Sequence, residues 1–176
     1  MMEIFEQHSS ELYSLAFLLT GNVDKGVEAF NRALDADEEN PAFGEFMTAW
    51  ARKLIIAEAL GTIRTDLRMS RQRVARAVED EPSRDAKWKR RPYIGREEFE
   101  EAVIAIDALP RCAMLLTIFE GMSIEAAAEL LGEDKALTRK AQRIGIVELT
   151  RALAGDGGRD PYRETGRNPV PVLSLG

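Results

Sequence analysis

The chain has 176 residues, of which 45% are hydrophobic and 31% charged, with a formal net charge of −6. That length suits one domain or two small ones, and the apolar share is too high for a disordered chain. A single histidine, His8, and a single cysteine, Cys112, exclude a disulfide framework and leave almost nothing from which to build a metal cluster or a Ser-His-Asp triad.

Cys112 lies in an apolar run and reads as a small core residue, as expected of a chain kept in a reducing cytoplasm. The N-terminal MMEIFEQHSS lacks the basic and apolar regions of a signal peptide. No apolar run approaches the roughly 18 residues of a membrane span, so no membrane contact is expected. No cofactor or metal pattern is read. Charge is uneven: residues 1–60 hold 4 Lys/Arg against 11 Asp/Glu, residues 61–96 hold 11 against 5, and residues 97–154 hold 6 against 11. The basic middle could meet nucleic acid although the whole chain is acidic.

Every periodic segment predicts a helix. Ile4, Phe5, Leu12, Leu15, Ala16, Leu18 and Leu19 place an apolar stripe on a first helix, which Gly21-Asn22 ends. A second helix starts near Asp24, its expected N-cap, and carries Val27, Phe30, Ala33 and Leu34. After Asn40-Pro41 a longer helix is predicted over residues 43–67, with Phe46, Trp50, Leu54, Ala57, Leu60 and Ile63 toward the core and a bend or close contact at Gly61. Residues 68–96 are charged, contain Pro82 and Pro92, and read as a frayed helix followed by a linker.

A second helical block begins at residues 96–99 and runs through Val103, Ile106 and Leu109 to Pro110. An unusually apolar helix is predicted over 111–120. Ser123 then caps a short helix that Gly132 ends, and a second helix carries Lys135, Arg139, Lys140 and Arg143. This is the layout of a helix-turn-helix. Two features complicate it: Glu133 and Asp134 open the second helix, and the apolar register meets Thr138 and Gln142 where aliphatics are expected. On pattern alone the stretch is either a DNA reader or a structural hairpin with a solvated basic face. The tail, residues 155–176, is rich in Gly and Pro and reads as loose.

The fold class expected is all-α: two small helical domains, residues 1–68 and 96–154, joined by a basic linker over 69–95, with the tail from 155. The linker cations Arg68, Arg71, Lys87, Lys89, Arg90 and Arg91 are candidate nucleic-acid contacts, and Trp88 and Tyr93 beside them could stack on unpaired bases.

In this order the segments resemble the extracytoplasmic-function type of bacterial sigma factor. LAFLLTGN (residues 15–22) is similar to the end of that family's first helix, and KGVEAFNRAL (25–34) falls where the family contacts the polymerase clamp. Trp50 and Arg64 bracket a stretch that in the family handles single-stranded promoter DNA. Leu109-Pro110 and FEGMSIEAAAELLG (119–132) are similar to the approach to its recognition helix. The resemblance spans about residues 10–153. It implies a first domain that binds polymerase and the −10 element and a second that binds the −35 element. It assigns polymerase contact to Glu28, Asn31 and Arg32, and DNA contact to Lys135, Arg139, Lys140 and Arg143. Core RNA polymerase, promoter DNA and an anti-sigma factor are the partners it implies.

Departures fall on polar positions: Arg32 reverses a charge, Ala57 stands for an Asn, and Gly61 for an Asp. They leave open a second reading, a sigma-like interaction module that binds an anti-sigma factor or polymerase without opening promoters. An enzyme is not expected, because pairs such as Glu97-Glu98 and Glu100-Glu101 lie in polar runs suited to helix N-termini, not to a buried acid/base pair.

Overall fold

The computed structural model describes residues 2–38, 47–77 and 94–154. Among them there is no strand, and the architecture is all-α. Eight α-helices follow in order: α1 Met2–Thr20, α2 Val23–Glu38, α3 Met47–Thr62, α4 Arg64–Arg76, α5 Arg96–Ile104, α6 Ala108–Met114, α7 Ile124–Leu131 and α8 Lys135–Ala154. A π-helical turn, Leu115–Phe119, continues α6.

Helices α1, α2 and α3 pack on one another. Helix α6 is central to the rest, touching α8, α4 and α1. On α1 the buried apolar residues among those described are Leu12, Leu15, Ala16 and Leu19, and on α2 they include Ala29 and Ala33, so small side chains let the two helices approach. The α1–α2 corner is capped by Asn22, whose Oδ1 accepts from the Lys25 backbone N–H at 3.0 Å. Asp24, the expected cap, lies inside the first turn of α2. Asn22 wins because Gly21 (φ +66°) turns the chain immediately before it.

The predicted helix over 43–67 and the frayed segment after it are reorganised. Helix α3 ends at Thr62 and α4 begins at Arg64, with Ile63 between them at φ −101°, ψ 17°. The bend sits at a buried β-branched residue and not at Gly61, which is exposed and in helical backbone. The core stripe of α3 matches the expectation only at its C-terminal end. Leu60 and Ile63 are buried and Leu54 packs against the core as expected, but Ala57 is exposed, Trp50 is half-buried, and Ala51, Ile55, Ile56 and Ala59 are buried. The helix is apolar around most of its girth, so periodicity alone did not fix which flank its N-terminal half buries.

Residues 69–76, expected as a frayed helix leading into the linker, form the second half of α4, where Ser70 and Val74 are buried. The linker cations Lys87, Lys89, Arg90 and Arg91, with Trp88 and Tyr93, lie outside the described residues, as does the tail. Pro110 does not end a helix. It sits in the first turn of α6, where its missing N–H breaks no bond, and Asp107 caps that helix by accepting from the Ala108 N–H at 2.9 Å.

One contiguous buried cluster runs through both helical groups, from Leu12 and Ile55 to Leu109, Leu116 and Ala141. The join between the groups is polar as well as apolar. Arg111 is buried, and its Nη1 donates to the Ile106 and Ile104 carbonyls at 2.7 and 3.2 Å. Its Nη2 donates to the Thr20 and Leu19 carbonyls at 3.0 and 3.4 Å. The guanidinium thus satisfies carbonyls at the C-terminal ends of α1 and α5, where the helix dipoles favour a cation.

Candidate nucleic-acid interface

The helix-turn-helix forms as the cap residues dictate. Ser123 Oγ accepts from the Ala126 N–H at 3.1 Å, and Gly132 ends α7 in the left-handed region at φ 67°, ψ 32°. The Glu133 N–H then donates to the Ala128 carbonyl at 3.0 Å, which closes the α7 C-terminus.

Asp134 does not open α8 from within but caps it, its Oδ1 accepting from the Leu137 N–H at 2.8 Å. The buried register runs on through the polar position. Thr138, Ala141 and Gly145 form the buried stripe of α8, and the Thr138 hydroxyl is satisfied by the Asp134 carbonyl at 2.9 Å. Threonine can fill a core slot here because its one polar atom bonds its own helix. Gln142 donates to Thr117 Oγ1 at 2.8 Å, which accounts for the second polar residue of that register. The tight fit of α8 on α6 comes from Gly145: a Cβ there would stand 2.5 Å from the Pro110 carbonyl oxygen.

The four cations assigned to DNA contact occupy different settings. Arg139 and Arg143 are exposed, four residues apart on one side of α8, opposite its buried stripe. Lys135 is exposed and lies 3.3 Å from Glu125 on α7. Lys140 is half-buried, and its Nζ donates at 3.3 Å to the carbonyl of Ala75 in the last turn of α4. Of the linker cations within the described residues, Arg68 is exposed on α4, whereas Arg71 Nε lies 3.0 Å from Glu133 in the turn before α8. Glu133 Oε2 is buried without an aligned donor, so this is a contact of charges and not a hydrogen bond. Burial raises the Glu133 carboxyl above the ordinary range, against the pull of Arg71.

Two further ion pairs join the helical groups, and neither is evident from the sequence. Arg52 on α3 is bidentate to Glu120, at 3.0 and 2.6 Å, and this hydrogen bonding raises the Arg52 guanidinium above its usual value. Arg73 on α4 is bidentate to Asp107, at 2.8 and 2.7 Å. Burial pushes the Asp107 carboxyl up, but the bonds from Arg73, Ser70 and the Ala108 N–H outweigh it and leave it below the ordinary range. Ser70 in turn accepts from the Leu109 N–H at 2.9 Å. The only local signal for these contacts was Asp107 itself, an N-cap type of residue just before an apolar run.

The three residues that the resemblance assigns to polymerase contact lie on α2. Glu28, Asn31 and Arg32 are all exposed, with Arg32 Nη2 2.6 Å from Glu28 Oε1. The charge reversal at Arg32 is therefore neutralised within its own helix.

Among the described residues no group of His, Cys, Asp and Glu is placed to hold a metal ion, and no helix is long and apolar enough to cross a membrane. Cys112 is buried, and burial pushes its thiol up to about 12, so it is not a nucleophile at neutral pH.

No protein-family model and no curated protein matches the sequence. A solved structure does: the sigma factor RpoE in complex with the anti-sigma factor NepR, from Bartonella quintana. It is 18% identical and superposes with a TM-score of 0.54, over 89% of this chain and 98% of that one. At that identity what is shared is the fold, and it extends across both helical groups.

Proposed function

We propose that the chain is a sigma-factor-like transcription initiation protein, which binds promoter DNA through α8 and core RNA polymerase through the exposed face of α2. The observation that carries this reading is the formed helix-turn-helix, with Arg139 and Arg143 on the open side of its second helix, at the matching end of a sigma-factor fold. Residues 1–68 then serve polymerase and the −10 element and residues 96–154 the −35 element, in the cytoplasm, with no catalytic step of the chain's own. Exchange of Arg139, Lys140 and Arg143 for alanine together is expected to abolish retardation of a promoter fragment, while the chain still captures core polymerase. Unchanged retardation would remove α8 from the interface.

A second reading rests on a specific observation: the solved sigma factor of the same fold is bound to an anti-sigma factor. A sigma-like module that engages an anti-sigma factor or polymerase without opening promoters also fits Ala57, Gly61 and the neutralised Arg32. Run-off transcription with bacterial core polymerase separates the two. Initiation supports the first reading, and capture of core without initiation supports the second.

A further inference from the structure

Three of the ion pairs at the join run in one direction. Arg52 on α3 meets Glu120, Arg71 on α4 meets Glu133, and Arg73 on α4 meets Asp107. Each arginine belongs to the first helical group and each carboxylate to the second. Arg52 and Arg73 turn Nε and Nη2 together onto two carboxylate oxygens, the same fork with which an arginine takes a phosphate. Lys140 crosses the join in the other sense, from α8 to the Ala75 carbonyl in the last turn of α4. Two cations read as nucleic-acid contacts, Arg71 and Lys140, are thus each engaged by the opposite group.

The join is more than charge. Ser70 Oγ accepts from the Leu109 N–H, and Arg111 of α6 holds the Leu19 and Thr20 carbonyls at the end of α1. While these contacts stand, the two groups move as one body. A body of 176 residues has a radius of gyration of about 16 Å and measures about 40 Å across. The −10 and −35 elements are about 25 base pairs apart, roughly 85 Å along a duplex at about 3.4 Å per pair. One closed body cannot lie on both.

Resting on the promoter-binding role proposed above, we infer that the join is an autoinhibitory contact in which Glu120, Glu133 and Asp107 stand in for DNA phosphates. In the closed form these carboxylates fill the arginines of α3 and α4. A nucleic-acid strand must displace them to bind the first group there. Carboxylate and phosphate oxygens take the same guanidinium donors, so one replaces the other without any new donor being supplied. Closure and nucleic-acid binding by the first group therefore exclude one another.

The test uses the full chain and a labelled 20-nucleotide single strand, followed by fluorescence anisotropy over a salt series. The join variant, Glu120→Gln/Asp107→Asn/Glu133→Gln, keeps the arginines. Its control, Asp35→Asn/Glu97→Gln/Glu101→Gln, makes the same change of net charge at exposed positions on α2 and α5. Circular dichroism confirms that each retains its helices. The join variant is expected to bind about ten-fold more tightly than the control at 0.1 M salt, with a log–log salt slope steeper by about 2, or about 0.7 for each arginine released. Adding Arg71→Gln and Arg73→Gln to the join variant should remove most of that gain. Amide exchange reports closure separately: the Leu109 N–H, whose acceptor is Ser70 across the join, should exchange faster once the strand is bound. Equal affinity of the join variant and its control, a gain that survives loss of the two arginines, or Leu109 exchange unmoved by the strand overturns the autoinhibition and leaves the promoter-binding reading standing. If no variant binds the strand at any salt concentration, the nucleic-acid role of the first group falls and the autoinhibition with it.

Discussion

The guanidinium of Arg111 occupies the space that a side chain on Gly21 would need: a Cβ built on Gly21 would lie 2.6 Å from Arg111 Cζ, Nη1 and Nη2. One residue belongs to the α1–α2 corner and the other to α6, so this contact is where the two helical groups are locked together. Gly21 has a second constraint, its φ of +66°, which costs any other residue free energy even in open space.

Both sides of that contact are therefore expected to be sensitive. Arg111→Ala leaves the carbonyls of Thr20, Ile104 and Ile106 without this donor and Leu19 with only the Cys112 thiol, in a mostly buried setting, for a loss of about 3 kcal/mol. Gly21→Ala is expected to cost about 1–3 kcal/mol through φ and the collision together. Urea unfolding measures both. Additive losses in the double variant would show that the two residues do not act through one contact.

Two glycines in helices should respond in opposite directions to alanine. Gly145→Ala drives a Cβ into the Pro110 carbonyl and is expected to destabilise by about 1–3 kcal/mol. Gly61 is exposed in α3 with nothing within 4 Å of a built Cβ, so Gly61→Ala should stabilise by about 0.5–1 kcal/mol through helix propensity. Thermal melts of the two single variants check the signs, and a loss at Gly61 would contradict the open space seen there.

The helix-turn-helix depends on two caps. Ser123→Ala and Asp134→Ala each remove a side-chain acceptor from a helix N-terminus and are expected to cost about 1 kcal/mol each. Hydrogen exchange should show faster opening of α7 in the first variant and of the first turn of α8 in the second. Protection unchanged at Leu137 would mean that Asp134 is not the working cap.

Acid should act in opposite directions on two carboxyls at the join. Asp107 is held below its ordinary value, so its contribution is present above about pH 4 and is lost as pH falls through the lower folded value. Glu133 is raised, so its contribution is fully present below its ordinary value and is lost as pH rises through the folded one. Asp107→Asn is therefore expected to be destabilising at pH 7, with the gap to the parent narrowing as the solution is acidified. Glu133→Gln should lose least at pH 7 and fall behind the parent toward pH 4. Urea midpoints at pH 7, 5 and 4 report both trends, and parallel curves for either variant would remove that carboxyl from the pH response.

The sequence by itself determined the all-α class, the short helix between Ser123 and Gly132, and the basic helix after it. These depend on local chemistry: apolar spacing, a hydroxyl that accepts from a free N–H, and a glycine that can turn left-handed. It also located Arg139 and Arg143, since helical spacing from the buried stripe puts them outside whichever partner covers that stripe. The helical register also marked position 138 as a core slot, and Thr138 fills it because its hydroxyl is satisfied locally, by the Asp134 carbonyl four residues back. Only the tertiary structure decided that the segment read as a frayed helix is a firm part of α4, because Ser70 is buried where its hydroxyl accepts from the Leu109 N–H. The ion pairs Arg52–Glu120 and Arg73–Asp107 and the burial of Arg111 were illegible for the same reason. Each joins residues far apart in the chain, and a charged side chain shows no periodic sign of the carbonyl or carboxylate that will meet it.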